Sequence, residues 1–319
     1  MSDPLSYLPL AIAGANGVLD GIDIRRLIAA GVALLQRTAP LVRALHGRRS
    51  ALLIPGGPSF FVALAASEGR GALLLDPRAE SSELAEWLGS GGVGAAFTVR
   101  ALEHRLPAAL PRVLLDDAPA RATWRCGEES RTIELAMHDG LRLEGEDDVA
   151  GADEEVLVAS RGDAAADALG TPITHRRLLA CARATARAAK LAARDHTLAL
   201  APYANLFGLL SGAIAPLLAG GRVTTGSAFT PAQALRALEQ DGVSMLVGAP
   251  VQFAALLDEL ARRGHPLDAP VLKRCVAGGG PLDASLRARW YDRVGVVLAQ
   301  GDAIAGDAGF AVGDPGPGA

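Results

Sequence analysis

The chain has 319 residues, half of them hydrophobic, which is enough apolar material for one large domain or two intimate ones. Its formal charge of -4 and pI near 5.9 leave no basic footprint for nucleic acid or anionic lipid, so neither is expected as a partner. Cys126, Cys181 and Cys275 are odd in number and far apart, which reads as free thiols of a reducing compartment, and no CxxC or Cys/His cluster suggests a metal.

The N-terminus carries Asp3 and no basic residue before its apolar stretch, unlike a signal peptide, so a cytoplasmic location is expected. Short apolar runs then alternate with amphipathic stretches. Strands are predicted at 51–54, 72–75 and 93–98, with helices over 58–68 and 82–88 between them. The run Gly89-Ser90-Gly91-Gly92-Val93-Gly94 has the GxGxxG spacing of a dinucleotide turn, but a helical pattern precedes it and a strand pattern follows. That order is the reverse of what a pyrophosphate needs, so these glycines are read as a helix end. Residues 118–143 alternate irregularly and are expected to form antiparallel strands at the edge of the first half.

Seven acids fall within the twelve residues 144–155, read as a solvated loop that separates two α/β subdomains, 1–150 and 151–319. In the second half, helices are predicted over 174–194, 231–240, 251–263 and 283–293, with strands at 198–201, 243–247 and 296–299. The stretch 197–221 has no charge and the length of a membrane span, yet Pro202, Asn205 and Pro216 divide it into strand, turn and glycine-rich buried helix. The tail GDPGPGA can continue neither a helix nor a central strand. The alternation points to an α/β fold of two layered subdomains, with mostly parallel sheets and a few antiparallel strands. His46, His104, His138, His175, His196 and His265 show no metal-ligand spacing and are assigned by default to surface or capping positions.

Two segments carry a family resemblance. Residues 52–98, with Pro55, Pro58, Gly71, Asp76 and Pro77, keep the rhythm of strand, turn, helix and Pro-x-Asp-Pro turn. Further on, Thr174-His175-Arg176-Arg177-Leu178, Pro202 to Gly208, Val243 to Pro250 and Gly278-Gly279-Gly280-Pro281 follow in a fixed order. Together they resemble the N-terminal domain of adenylate-forming enzymes, the superfamily of acyl-CoA synthetases, aryl-CoA ligases and adenylation domains. The resemblance implies two stacked αβα subdomains. It also implies a nucleotide-pocket-like group of Gly278, Gly279, Gly280, Pro281 and Asp302, and an acyl-pocket-like group of Asn205, Phe207 and Gly208, each of which also has a plain packing reading.

The departures from that pattern are as systematic as the matches. The family's Ser/Thr/Gly-rich phosphate loop ends in Pro-Lys-Gly, whereas this chain has a degenerate loop of Arg161, Gly162, Asp163, three alanines, Asp167, Ala168, Leu169 and Gly170, with Leu169 in the lysine position. Two carboxylates near a polyphosphate oppose binding by about a few kcal/mol at intermediate dielectric. Where the family carries Tyr-Gly-x-Thr-Glu, this chain reads Asp302-Ala303-Ile304-Ala305-Gly306, with Asp307 one residue beyond the glutamate position. Asn205 replaces an aromatic histidine and cannot titrate. The lysine-bearing C-terminal domain of the family is expected to be absent. Lys190 is read as lying in a helix and Lys273 as leading into a strand, neither able to replace its lysine.

Two readings therefore stand. One is a protein that has lost adenylation and serves as a ligand-binding, regulatory or partner subunit, with a small carboxylic acid or acyl compound, or a protein, as its partner. In it no catalytic residue, metal or cofactor is assigned. The other is a divergent acyl- or aryl-acid ligase, aided by a C-terminal domain in trans, for which ATP or AMP and Mg²⁺ would be the cofactors.

Overall fold

The computed structural model describes residues 8–67, 71–135, 155–158, 171–226 and 228–301. Its contacts divide the chain into two units, Met1–Gly14 with Ile22–Leu179, and Ala15–Gly21 with Ala180–Ala319.

Unit 1 is built on an eight-stranded sheet. Its order is Thr171–Thr174, Glu155–Val158, Leu73–Leu74, Arg49–Leu53, Val93–Thr98, Arg112–Leu114, Arg121–Cys126 and Glu129–Glu134. The inner neighbours, from Glu155–Val158 to Arg112–Leu114, run parallel, while the pairs at both ends are antiparallel. The hairpin of Arg121–Cys126 and Glu129–Glu134 is the antiparallel edge expected within 118–143. Because Glu155–Val158 and Thr171–Thr174 pair into this first sheet, the division falls after Leu179 rather than at residue 150. The acidic run before Val156 is thus followed by two more strands of the same layer.

Helix Ile24–Arg37 repeats Ile24, Leu27, Ile28, Gly31 and Leu34 on its buried face, and Asp23 caps it by accepting from the Arg25 amide at 2.9 Å. It packs on Pro58–Ala66, a helix apolar on every side and buried from Phe60 to Ala66. Helix Ser81–Ser90 ends at Gly91, whose N–H donates to the Trp87 carbonyl, and strand Val93–Thr98 begins two residues later. The glycines of 89–94 therefore close a helix, as their sequence context implied.

Unit 2 holds six of the seven strands of a second sheet, in the order Leu298–Gly301, Arg274–Gly278, Met245–Gly248, His196–Ala199, Arg222–Thr225 and Val18–Leu19. All five neighbouring pairs are parallel. Two of these strands start two residues later than the hydrophobic runs suggest, at Met245 and Leu298, since the apolar run begins before the ladder does. Helices Pro231–Gln240, Pro250–Arg263 and Ala284–Val294 cover one face, packing Leu235, Leu238, Phe253, Leu256, Leu260, Leu286 and Trp290 against Leu198, Leu246, Cys275 and Leu298. The opposite face, with Met245, Val247 and Val276, is packed against Ala201 and Phe207. The uncharged stretch 197–221 resolves into strand His196–Ala199, a turn, the π-helical segment Gly208–Ile214 and the helical turn Ala215–Leu218. Among the described residues no single helix is long and apolar enough to cross a membrane.

Candidate functional site

In unit 2 the parallel strands all point their carboxyl ends the same way. Successive strands leave His196–Ala199 first for Arg222–Thr225 on one side and then for Met245–Gly248 on the other. Ligands of open α/β sheets bind outside the carboxyl ends, where the strand order reverses in this way. The turn that follows Ala199 contains Asn205, and the turn that follows Arg274–Gly278 contains Gly279, Gly280 and Pro281.

Asn205 starts the helix that follows it. Its side-chain Oδ1 accepts from the Phe207 N–H at 2.9 Å and the Gly208 N–H at 3.4 Å, and its backbone carbonyl accepts from Leu209 at 2.8 Å. Gln252 braces the neighbouring turns, since its Nε2 donates to the Leu200 carbonyl at 2.8 Å and its Oε1 accepts from the Ala249 N–H at 2.7 Å. Tyr203 is fully buried with its hydroxyl 3.1 Å from that of Thr225, and burial raises its pKa above the ordinary phenol value.

Two turns meet at this edge. A β-carbon at Gly278 would lie 2.5 Å from the Phe207 ring and against the Gly301 carbonyl, and one at Gly279 would lie 2.9 Å from Asn205 Nδ2. Gly279 has φ +76°, the left-handed region that favours glycine. Gly208 is equally tight, against the Pro202 carbonyl and Ala201. The structure thus brings Asn205 and Phe207 of one expected group together with Gly278 and Gly279 of the other. Gly280 faces open space and Pro281 is exposed, so neither touches that cluster. Arg161, Gly162, Asp163, Leu169, Gly170 and Asp302 lie outside the described residues.

The sheet's amino-terminal edge carries a second polar cluster that sequence reading missed. Asp195 accepts from the Ser244 hydroxyl at 2.9 Å and the Ala192 N–H at 2.9 Å, and is ion-paired with Arg274. Burial works to raise its carboxyl pKa, but these donors together hold it below the usual value. His196 is buried, with Nδ1 3.0 Å from the Asp241 carbonyl and Nε2 2.8 Å from the Thr224 hydroxyl, and burial lowers its pKa. His175 is buried as well, so the surface part of the default assignment is corrected at both histidines. Ser244, His196 and Asp195 do not form a nucleophilic relay, because Ser244 donates directly to Asp195 and the imidazole binds other groups.

Both lysines of the chain also stand at this amino edge. Lys273 immediately precedes strand Arg274–Gly278, about 17 Å along the strand from Gly278. The sequence reading put Lys190 in a helix, but it lies beyond the end of helix His175–Ala188 at φ +49°.

Residues 170–301 match the family model described as "AMP-binding enzyme". A feruloyl-CoA synthase of Amycolatopsis sp. is 33% identical over 111 residues, 35% of this chain and 22% of that protein. A long-chain-fatty-acid–CoA ligase of Thermus thermophilus is 30% identical over 134 residues, 41% of this chain and 24% of its own length. The fold is similar to that of a benzoate CoA ligase from Burkholderia xenovorans, with TM-score 0.70 and 15% identity over 95% of this chain and 61% of that one. These matches span under a quarter of the curated relatives and about three fifths of the solved neighbour. The α/β architecture, mostly parallel with antiparallel edge strands, is similar to that of this solved neighbour over the part covered.

Proposed function

We propose that this member of the adenylate-forming, AMP-binding family holds a small carboxylic acid or its acyl derivative at the carboxyl edge of its second sheet without converting it to an acyl adenylate. It would then act as a ligand-binding, regulatory or partner subunit, in the cytoplasm.

The observation that carries this reading is the placement of charge. Asn205, Phe207, Gly278 and Gly279 gather at the carboxyl edge, whereas Lys190 and Lys273 both stand at the amino edge. The loop positions that hold hydroxyls and a lysine in the family are here alanines, Asp163, Asp167 and Leu169. Adenylation builds charge on a transferring phosphoryl group, and that charge needs preorganised donors or cations. Carboxylates in such a loop act in the opposite sense. This residue set does not fit a triphosphate with its metal, so no step is derived through them.

The test is ATP–pyrophosphate exchange by the pure chain over a panel of fatty and aryl acids, alongside thermal unfolding with the same acids and with AMP. We expect stabilisation by at least one acid and no carboxylate-dependent exchange. Exchange above background would establish the second reading, a divergent ligase completed by a further domain in trans.

A further inference from the structure

Helix His175–Ala188 turns a face of one charge sign outward. Residues 175–194 hold six basic side chains, Arg176, Arg177, Arg183, Arg187, Lys190 and Arg194, and no acidic one. All six are exposed, while Leu178, Leu179, Ala182 and Thr185 fill the buried side of the helix. At about 3.6 residues per turn, positions 176, 180, 183 and 187 stand in one row about 16 Å long, so Arg176, Arg183 and Arg187 share a stripe with Ala180. Among the described residues no carboxylate pairs with Arg177, Arg183 or Arg187, in contrast to Arg125, Arg263 and Arg274, each of which has its acid. The arrangement works against the helix that carries it. Arg177 lies in the first turn, where the helix dipole disfavours a cation, and Arg183 and Arg187 are like charges four residues apart. Exposed helix positions accept either sign of charge, so this uncompensated row is explained by something outside the fold.

We propose that this face is a docking surface for an acidic segment of another protein, an α-helix with carboxylates at four-residue spacing laid along the arginine stripe. Charge complementarity and shape together support it. Guanidinium groups receive carboxylates on two parallel N–H bonds. Ala180, Ala184 and Ala188 form a low ridge beside Arg183 and Arg187, over which a second helix can pass at the usual interaxial distance of about 8–10 Å. The same face lacks what other polyanions use. No aromatic or large aliphatic side chain is exposed on the helix to enter a bilayer or to stack on a base. The chain's formal charge of -4 also opposes the approach of an anionic membrane or a duplex from a distance. The docking surface is independent of the acid ligand at the carboxyl edge, since it uses none of the same residues.

Binding and folding separate in the double variant R177E/R183E. The first change places an acid in the first turn of the helix, and the second creates an acid–arginine pair with Arg187 four residues on, so both favour the helix while reversing the surface. Wild type and variant are titrated with a helical peptide of repeating Glu-Ala-Ala-Ala, its Lys-Ala-Ala-Ala counterpart, phosphatidylglycerol vesicles and duplex DNA, and their thermal midpoints are measured without ligand. We expect wild type to bind the glutamate peptide and not the lysine one, more weakly as salt rises from about 50 to about 300 mM. The variant should bind the glutamate peptide at least about tenfold more weakly yet melt no lower than wild type. A lower midpoint in the variant would show that the arginines serve the fold and would overturn the proposal. Equal peptide affinity in the two proteins, or no binding by wild type, would overturn it as well. Tighter binding to vesicles or DNA than to the glutamate peptide would assign the stripe to a phosphate surface instead. Peptide binding that appears only after the acids of 144–155 are changed to Asn and Gln would make that run the occupant and equally overturn a second protein.

Discussion

The Phe207 ring occupies the space that a β-carbon on Gly278 would need, with its Cδ2 atom 2.5 Å from that point. The Gly301 carbonyl closes the same space, so a methyl group there cannot be absorbed by turning one flexible side chain. Gly278→Ala should therefore destabilise the protein by about 1–3 kcal/mol. Denaturant titration is the measurement, with the midpoint falling and the slope unchanged. An unaltered midpoint would mean that the two turns are not in contact.

In unit 1 two glycines predict opposite signs. A β-carbon at Gly31 would press on the Val62 carbonyl and lie 2.6 Å from Ala65 Cβ, at the close approach of helices Ile24–Arg37 and Pro58–Ala66. Gly89, near the end of helix Ser81–Ser90, has nothing within 4 Å of its would-be β-carbon. Gly31→Ala should cost about 1–3 kcal/mol despite the better helix propensity of alanine, and Gly89→Ala should gain up to about 1 kcal/mol. Paired thermal melts check this, and a shared sign would contradict the packing described.

What was legible in the sequence is what local pattern controls. The helix end at Gly91, the edge hairpin Arg121–Glu134 and the strand–turn–helix of 196–218 each follow from turn residues and short-range hydrophobic spacing. The order of motifs from Thr174 to Gly280 carried the fold. The membership of Glu155–Val158 and Thr171–Thr174 in the first sheet was not legible, because sheet partners distant in sequence leave no local mark. His196 was assigned to the surface for a similar reason. Its burial depends on Thr224 and Asp241, which lie 28 and 45 residues away. Within the candidate site, Asn205 and Phe207 were named as candidates, but their meeting with Gly278 and Gly279 required the parallel register of strands His196–Ala199, Met245–Gly248 and Arg274–Gly278.

Thiol chemistry offers a report on unit 2. Cys275 is buried beside Trp290, and burial pushes its thiol pKa up to about 12, whereas Cys126 and Cys181 are partly exposed. The thiolate is the reactive form, so Cys275 should resist an aromatic disulfide reagent at pH 8 while the other two react. Two equivalents of released thiolate from the folded chain and three in denaturant are expected. Prompt release of three would show that the layer around Trp290 is open.

The amino-edge cluster predicts a two-step loss of stability in acid. His196 has its pKa lowered in the fold, chiefly by burial, so below the ordinary value of about 6.5 the unfolded chain binds a proton that the folded chain refuses. Its contribution is complete above that value and declines as pH falls beneath it. Asp195 also has a lowered pKa, so its contribution is present above the ordinary carboxylate value of about 3.9 and is lost as pH falls through the lower folded one. Both groups destabilise on acidification, but in separate windows, the first beginning near pH 6.5 and the second below about pH 4. Replacing His196 with Gln should flatten the first limb while leaving the second. Replacing Arg274 with Met removes a cation that favours the Asp195 carboxylate, so its folded pKa moves toward the ordinary value and the second limb should shrink, at a cost of about 1–3 kcal/mol at neutrality, reduced because Arg274 is partly exposed. Urea midpoints measured at unit intervals from pH 8 down to about pH 2 separate the limbs. A flat profile in wild type between pH 7 and 5 would show that His196 titrates alike in the folded and unfolded chains, contrary to its burial.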